Sequence, residues 1–425
     1  MTRVPIVLVA VMAAVVLTAA TLRWRAGQRA ERDVRRALAA GHASADGGLG
    51  ASTAVGLGAG TPPGDSVVPP RTSMLHGDAR HTHRSAGRAT TKTPTVDWTR
   101  DVGGPIEAQV TASPDEQTLY AASLGGALTA LARDGGDVRW TLALGDRVYA
   151  TPCVADDGTI YVGSDAKKFD AVSPDGKIKW SLDTDGDADT GAVIAGDGAV
   201  VFAAGRTIYN VTPTGFVRWR FAAKRKVYGA PALGATGRVF AGSQDHHVYA
   251  LAADGRLAWS VDLGADVDGA PALDDRGGVF VGTDGDEVVR LDPDDGRVVW
   301  RTNVGGYVRG TLSVARNGDV LAGVYGPRPR AVRLLSGDGE VRGDFPIQGT
   351  GARDFGVHGG ALEDAMGTLV FGAQDDAVYA VDAGGRLLWR FTTGGDVDAP
   401  ATLLSDGTLV IGSDDGRVTA FRPAG

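Results

Sequence analysis

The chain has 425 residues, of which 22% are charged, and a formal net charge of −8 at neutral pH. That negative charge argues against general binding to nucleic acid, because phosphates require a basic surface. Its 63 glycines are about twice the ordinary share and favour a fold rich in tight turns. The single cysteine, Cys153, excludes an intramolecular disulfide, and its apolar surroundings predict a buried structural residue.

Residues 1–22 predict a membrane segment. Residues 4–22 form a stretch without a charged side chain. This stretch is long enough for a transmembrane helix and longer than the usual apolar core of a signal peptide. We favour an uncleaved anchor, with a cleaved signal peptide as the alternative. The arginines that follow this segment would place the rest of the chain in the cytoplasm under the positive-inside rule.

Residues 23–95 predict a disordered linker, since they are rich in Ala, Gly, Ser, Thr and Pro and offer little to a core. Basic residues outnumber acidic ones here, which suits a tether near anionic lipid head groups. His76, His81 and His83 fall in this segment. A metal needs ligands in a fixed geometry, so we predict no metal site in a flexible linker.

Residues 96–425 contain a repeat marked by tryptophan. The interval is 39 to 42 residues, then doubles where Gly343 takes the place of one tryptophan. A glycine stands four residues before each later tryptophan, as Gly176 and Gly255 do. Each unit also holds four short β-branched and aromatic runs, which predicts a four-stranded blade of a β-propeller. The tryptophans are Trp98, Trp140, Trp180, Trp219, Trp259, Trp300 and Trp389.

The count of units predicts how the ring closes. Eight units begin at positions 98, 140, 180, 219, 259, 300, 343 and 389. The last unit reaches Gly425 without a final tryptophan strand, whereas the strand around Trp98 has no blade before it. We therefore predict an all-β, eight-bladed propeller in which this N-terminal strand completes the last blade.

The repeat unit resembles that of a known family. Tyr249-Ala250-Leu251 followed by Asp254-Gly255 and Trp259 is similar to the repeat of PQQ-like, quinoprotein-type eight-bladed propellers, a family that includes the propeller subunit of the outer-membrane β-barrel assembly machinery. The resemblance covers residues 74–425, and residues 76–85 resemble the lead-in before such propellers. It implies that each tryptophan docks flat against the neighbouring blade, and that the propeller lies outside the cytoplasm. The family mixes dehydrogenases with non-catalytic scaffolds.

One aspartate-rich loop superficially suits calcium. Asp183, Asp185, Asp187 and Asp189 place carboxylates at every second position, as an oxygen-ligand loop does. However, Gly186 stands at the fourth position rather than the sixth, and no terminal glutamate follows. The other units use the same slot to link the tryptophan strand to the innermost strand. We predict a structural turn and no bound metal.

One column of the repeat changes its side chain from blade to blade while the strand pattern persists. It lies at the start of the innermost strand and should ring one mouth of the central channel, where a propeller places specificity. Its four carboxylates would suit a cationic or polar partner, although a solvated rim without a ligand remains the alternative. The column consists of Glu107, Tyr149, Asp189, Tyr228, Asp268, Arg309, His358 and Asp398.

Together these features predict a non-catalytic, membrane-anchored scaffold without a cofactor, which binds other envelope proteins and acts in envelope or outer-membrane protein assembly. We expect a periplasmic or other extracytoplasmic propeller, with the cytoplasmic orientation as the alternative. A quinoprotein dehydrogenase is a second hypothesis, but the chain has no cysteine pair, and Trp24 is the one tryptophan outside the blade-docking positions. A carbohydrate or cell-wall binding module is a third, based on Tyr149, Tyr228 and Tyr307 near the rim.

Overall fold

The computed structural model describes residues 72–334, 337–347 and 355–422. The predicted anchor, residues 1–22, and the linker up to residue 71 lie outside these ranges. Within them, no helix has the length and apolar character needed to cross a bilayer. A short 3-10 turn, Leu75–Gly77, precedes the strands.

The described ranges form eight sheets of four antiparallel strands each, which confirms the predicted eight-bladed propeller. Hydrogen bonds join the four strands of each blade in order from the innermost to the outermost. In chain order the strands are β1 (Thr95–Asp101); in blade 1, β2 (Thr111–Ala112), β3 (Thr118–Ser123), β4 (Ala127–Ala132) and β5 (Val138–Ala143); in blade 2, β6 (Cys153–Val154), β7 (Ile160–Ser164), β8 (Lys168–Val172) and β9 (Ile178–Asp183); in blade 3, β10 (Val193–Ile194), β11 (Val200–Ala204), β12 (Thr207–Val211) and β13 (Val217–Ala222); in blade 4, β14 (Ala232–Leu233), β15 (Val239–Gly242), β16 (His247–Leu251) and β17 (Leu257–Asp262); in blade 5, β18 (Ala272–Leu273), β19 (Val279–Gly282), β20 (Glu287–Leu291) and β21 (Val298–Asn303); in blade 6, β22 (Ser313–Val314), β23 (Val320–Val324), β24 (Arg330–Leu334) and β25 (Val341–Pro346); in blade 7, β26 (Leu362–Glu363), β27 (Leu369–Ala373), β28 (Ala377–Val381) and β29 (Leu387–Thr392); and in blade 8, β30 (Thr402–Leu403), β31 (Leu409–Gly412) and β32 (Arg417–Arg422).

Blade 8 is completed by β1, as the sequence predicts. β1 pairs antiparallel with β32, with Trp98 opposite Ala420 and Asp101 opposite Arg417. The last strand of the ring is thereby joined to the first, and no blade is left with an open edge at this junction.

Burial explains the sequence pattern of each blade. The second strand is covered on both faces by neighbouring blades, so every residue of β3 and of β11 is buried. The outermost strand alternates exposed and half-buried positions, as β5 and β9 do, because only one of its faces contacts the next blade. Continuous apolar runs therefore form the second strands, and alternating runs around tryptophan form the outermost ones.

Six of the seven described indoles pack on a turn glycine of the following blade. A Cβ on Gly176 would lie 2.7 Å from Trp140, and one on Gly255 would lie 2.6 Å from Trp219. Both glycines also have a positive φ, so a side chain would be strained as well as blocked. The indole N–H donates to a carbonyl of that blade at 2.8–3.0 Å in five pairs: Trp98 to Arg133, Trp140 to Pro174, Trp180 to Pro213, Trp219 to Ala253 and Trp259 to Pro293. Trp389 donates at 2.8 Å to Thr90, in the segment before β1.

Residues 72–87 form a plug across the channel, so the prediction of a disordered linker is wrong for this stretch. Its backbone accepts hydrogen bonds from the innermost strands of successive blades, and Ser85 Oγ donates to Leu403 of blade 8. These strands have free backbone groups on the channel side, which the plug satisfies. The accepting carbonyls and their donors are Thr72 and Ala112 in blade 1, Ser73 and Val154 in blade 2, Ala79 and Leu233 in blade 4, Arg80 and Leu273 in blade 5, Thr82 and Val314 in blade 6, and His83 and Glu363 in blade 7.

Candidate functional site at the channel rim

The eight predicted rim residues occupy equivalent places in the fold. Each stands four residues before the innermost strand of its blade, as Glu107 does before β2 and Asp398 before β30. Their exposure differs, from 8% at Asp398 to 42% at Tyr228. The plug bonds to the far ends of the same strands, at Ala112 in blade 1 for example, so the rim and the plug lie at different depths along the channel.

Four carboxylates form an acidic sector where blade 8 meets blade 1: Glu107, Asp396, Asp398 and Asp414. Burial, followed by the charges of Asp398 and Asp414, raises the pKa of Glu107 to about 7. Burial and the charges of Asp398 and Asp396 raise the pKa of Asp414 to about 7 as well. Asp398 and Asp414 each hold one buried Oδ1 that receives no hydrogen bond from the described part of the chain. The sector therefore has more negative charge than its own surroundings neutralise.

The other side of the rim is neutralised by ion pairs. Lys226 contacts Asp189 at 2.6 Å, and Arg309 contacts Asp284 at 2.8 Å. The same cations also cover the rim tyrosines: Lys226 lies 4.1 Å from the ring centre of Tyr228, and Arg309 lies 4.7 Å from that of Tyr307. One face of each ring is covered by a cation, which reduces the aromatic surface available for stacking on a sugar.

A second column of residues faces the rim, and the sequence analysis missed it. Its members follow the glycine or alanine near the end of each second strand by two positions. Gln374 donates to Asp398 at 3.2 Å, and the Tyr325 ring lies 6.0 Å from that of His358. The recurring Gly-Ser-Asp and Gly-Thr-Asp triplets were the available signal. The polar and aromatic members are Asp165, Gln244, Asp284, Tyr325, Gln374 and Asp414.

Asp165 of this second column lies beside the aspartate-rich loop that leads into blade 3. Ligand atoms of Asp165, Asp187 and Asp189 lie within 4.8 Å of one another, and carboxylates of this kind suit a divalent cation. Burial, then the charge of Asp189, raises the pKa of Asp165 to about 6. Arg147 contacts Asp165 at 3.0 Å, so part of this charge is already compensated. The expectation of a structural turn without metal stays a prediction.

The three histidines of the plug are fully or almost fully buried. Each ring donates to a backbone carbonyl: His76 to Gly359, His81 to Pro271 and His83 to Ala401, at 2.9–3.0 Å. Among the residues that the structure describes, the second nitrogen of each ring has no hydrogen-bond partner. Burial lowers the pKa of all three, that of His83 to about 4. They are neutral packing groups of an ordered segment, whereas the sequence placed them in a flexible one.

The described residues do not fit a quinone held as the family resemblance implies. All seven described tryptophans stand on outer strands and none faces the channel. Five donate to carbonyls of another blade, and Trp389 donates to Thr90 in the segment before β1. Cys153 is buried without a second cysteine beside it, and burial raises the pKa of its thiol. The middle of the channel is taken up by His76, His81 and His83, which are at most 2% exposed.

Comparison with known proteins gives one family and one fold. The family model described as "Outer membrane protein assembly factor BamB" matches residues 87–212, 167–263 and 244–342, which together exceed half of the chain. No curated protein sequence matches.

Three solved structures illustrate the fold. BamB from Moraxella catarrhalis has 18% identity and a TM-score of 0.64, with 78% of this chain and 100% of that chain covered. A europium-containing methanol dehydrogenase has 11% identity and a TM-score of 0.68, with 82% and 91% covered. The computationally designed Ika8 protein has 18% identity and a TM-score of 0.63, with 76% and 97% covered. At these identities the similarity shows the fold alone.

Proposed function

Because the chain belongs to the family of the outer membrane protein assembly factor BamB, we propose that it is a non-catalytic scaffold that binds another envelope protein through its channel rim. The propeller works outside the cytoplasm in this proposal, and residues 1–22 tether it to a membrane. The partner contributes a cationic segment, and the scaffold needs no cofactor.

The acidic sector is the observation that carries this proposal. Glu107 and Asp414 are held close enough to other carboxylates, and buried deeply enough, that each has a pKa of about 7. A lysine or arginine of a partner would supply the positive charge and the hydrogen-bond donors that the sector lacks. The opposite side of the rim, with its internal ion pairs, gains less from such a partner.

Quinoprotein dehydrogenase activity remains the second candidate, since one structural neighbour is a methanol dehydrogenase. The two functions can be distinguished directly, because a quinone enzyme purified from its native membrane carries a chromophore and the scaffold does not. The absorbance spectrum of the purified full-length protein distinguishes them.

The binding proposal is tested by removing charge without changing shape. We expect Glu107→Gln/Asp398→Asn/Asp414→Asn to lower recovery of co-purifying envelope proteins at least about tenfold, since several charge-assisted contacts are lost together. The melting temperature should not fall, because the amides keep the hydrogen-bonding atoms. The measurement is quantitative mass spectrometry of proteins captured from solubilised membranes.

The matched control removes the same charge elsewhere. Asp134, Asp183 and Asp294 have side chains 88–90% exposed on outer parts of the blades. Asp134→Asn/Asp183→Asn/Asp294→Asn should keep every partner at the wild-type yield. Equal recovery with the rim variant and the control would refute a rim contact.

A further inference from the structure

Among the described residues, the junction between blades 6 and 7 lacks the indole found between the other blades. Gly343 stands on β25 where the other outer strands carry tryptophan. Within the described ranges, a Cβ on Gly343 would meet no atom within 4 Å, and the same is true of Gly385, the turn glycine of blade 7. At six other junctions a Cβ on the equivalent glycine would lie 2.4–2.8 Å from an indole, in the pairs Gly136 with Trp98, Gly176 with Trp140, Gly215 with Trp180, Gly255 with Trp219, Gly296 with Trp259 and Gly339 with Trp300.

A cavity of about 240 Å³ lies at this junction. Its walls are apolar and come from both blades, with Leu321 and Ala331 on blade 6 and Leu369 and Phe371 on blade 7. Phe345 forms a further wall, with its ring centre 5.9 Å from that of Phe371. Arg342 and Asp344 also line the cavity and are exposed, so charged groups border an apolar interior.

A smaller side chain on the second strand of blade 6 also enlarges this cavity. In blades 1, 4 and 5 the indole lies 5.9–6.0 Å from an aromatic ring on the second strand, in the pairs Trp140 with Tyr120, Trp259 with Phe240 and Trp300 with Phe280. The equivalent residue of blade 6 is Leu321, which pairs with Ser313 as Phe280 pairs with Ala272. Both rings of the usual aromatic pair are thus replaced by smaller side chains.

We propose that this cavity binds a tryptophan side chain of a partner polypeptide. The same molecule shows what the slot accommodates, since six of its other blade junctions are filled by indoles on equivalent glycines. An apolar void leaves its lining without dispersion contacts, and an inserted indole would restore them. An aromatic anchor in an apolar cavity with a charged margin is the usual composition of a binding hot spot. The cavity lies between two blades and is not lined by Glu107, Asp398 or Asp414, so it does not depend on the rim contact proposed above.

The probe is N-acetyltryptophanamide, titrated into the full-length protein by isothermal calorimetry. We expect saturable binding, at least about fivefold tighter than that of N-acetylleucinamide, because an indole fills the slot and a leucine side chain does not. Gly343→Trp fills the slot from within and should raise the melting temperature and weaken probe binding at least about tenfold. Ala331→Phe narrows the same cavity from the neighbouring strand and is the second variant should Gly343→Trp not fold.

The matched control is Val138→Trp, which adds a tryptophan at a side chain 49% exposed on β5 and should leave binding unchanged. The rim variant of the previous section should also bind the probe normally, which separates failure of one proposal from failure of the other. The inference is overturned if the wild-type protein does not bind the amide, or if binding survives both cavity variants. It is also overturned if Trp24→Ala creates binding that the wild type lacks, since the occupant would then be this chain's own tryptophan.

Discussion

Some carboxylates at the rim lie in surroundings that disfavour their ionised form, and Glu107 shows this most clearly. Burial and two neighbouring carboxylates raise its pKa to about 7, above that of an exposed glutamate. The folded protein therefore keeps a proton on Glu107 that the unfolded chain has lost. Stability from this group is complete below about pH 4.5 and is lost as the pH rises through 7. At pH 8 the ionised group opposes folding.

Glu107→Gln should therefore stabilise the protein at pH 8 and have little effect at pH 5, where the folded carboxyl is already neutral. We expect a gain of about 1–2 kcal/mol at the higher pH, below the full value of the pKa shift because solvent screens part of the repulsion. Thermal unfolding at the two pH values provides the measurement. Asp134→Asn, on an exposed hairpin, is the control, and a gain of equal size at both pH values would contradict the electrostatic explanation.

The rim column could be located from the sequence, whereas the residues that face it left only the recurring Gly-Ser-Asp and Gly-Thr-Asp triplets as a signal. Glu107 and Asp398 were found because they recur in phase with the repeat and differ from their equivalents. Asp414 and Gln374 lie on the turn after the second strand, and only the fold brings them to the rim. The raised pKa of Asp414 depends on burial and on Asp396 and Asp398, a property that no spacing in the sequence contains.

Among the elements, the plug departs most from the sequence prediction. Its composition predicts disorder because it builds no core of its own. Its order comes from carbonyls that accept hydrogen bonds from six innermost strands and from Ser85, whose hydroxyl donates to a seventh. His83 has a positive φ and is 2% exposed, so its place depends on the finished ring. Local composition cannot reveal a segment whose partners lie up to 318 residues away, as those of His83 do.

The plug should make the propeller sensitive to acid. The pKa of His83 is about 4 because it is buried, whereas the unfolded chain titrates near 6.5. Below pH 6.5 the unfolded chain binds a proton that the folded chain excludes, so stability is lost as the pH falls toward 4. By pH 5 this amounts to about 2 kcal/mol from His83 alone.

His83→Asn should remove that part of the pH dependence, seen as a smaller fall in melting temperature between pH 7.5 and pH 5 than in the wild type. Asparagine tolerates the positive φ at this position. His246 also has a positive φ but lies on the surface, with a side chain 43% exposed, which makes His246→Asn the matched control. If both variants titrate like the wild type, the buried imidazole does not set the acid limit.

At the scale of the whole molecule, the number of blades and their closure follow from the sequence alone. The pattern of each unit is contained in about 40 consecutive residues and occurs eight times, so every unit independently supports the same blade structure. β1 also pairs with β32 as predicted. The cavity between blades 6 and 7 is the exception, because the sequence shows that Gly343 replaces a tryptophan but not whether the blades close over the space. The packing of the residues that the structure describes shows that a cavity of about 240 Å³ remains there.

Removing the closing strand should destabilise the entire ring. Deleting residues 90–100 takes away the partner of β32, the buried indole of Trp98 and the carbonyl of Thr90 that accepts from Trp389. Loss of one buried indole costs on the order of 3–5 kcal/mol, and the unpaired edge adds to this and favours aggregation. Calorimetry should show a sharply lower melting temperature, and sedimentation should show self-association. Deleting residues 40–50 is the length-matched control, and equal melting curves for the two deletions would rule out closure by β1.

The pairing of β1 with β32 has a consequence for biosynthesis. Asp97 and Arg422, which bond across this pair, are 325 residues apart. A ribosome adding about 5–20 residues per second needs roughly 15–65 s to cover that distance, so β1 emerges early and waits for its partner. Throughout translation the nascent chain exposes two unpaired strand edges. A premature stop codon near the 3′ end of the reading frame, which removes β32, would therefore leave β1 without its pairing strand.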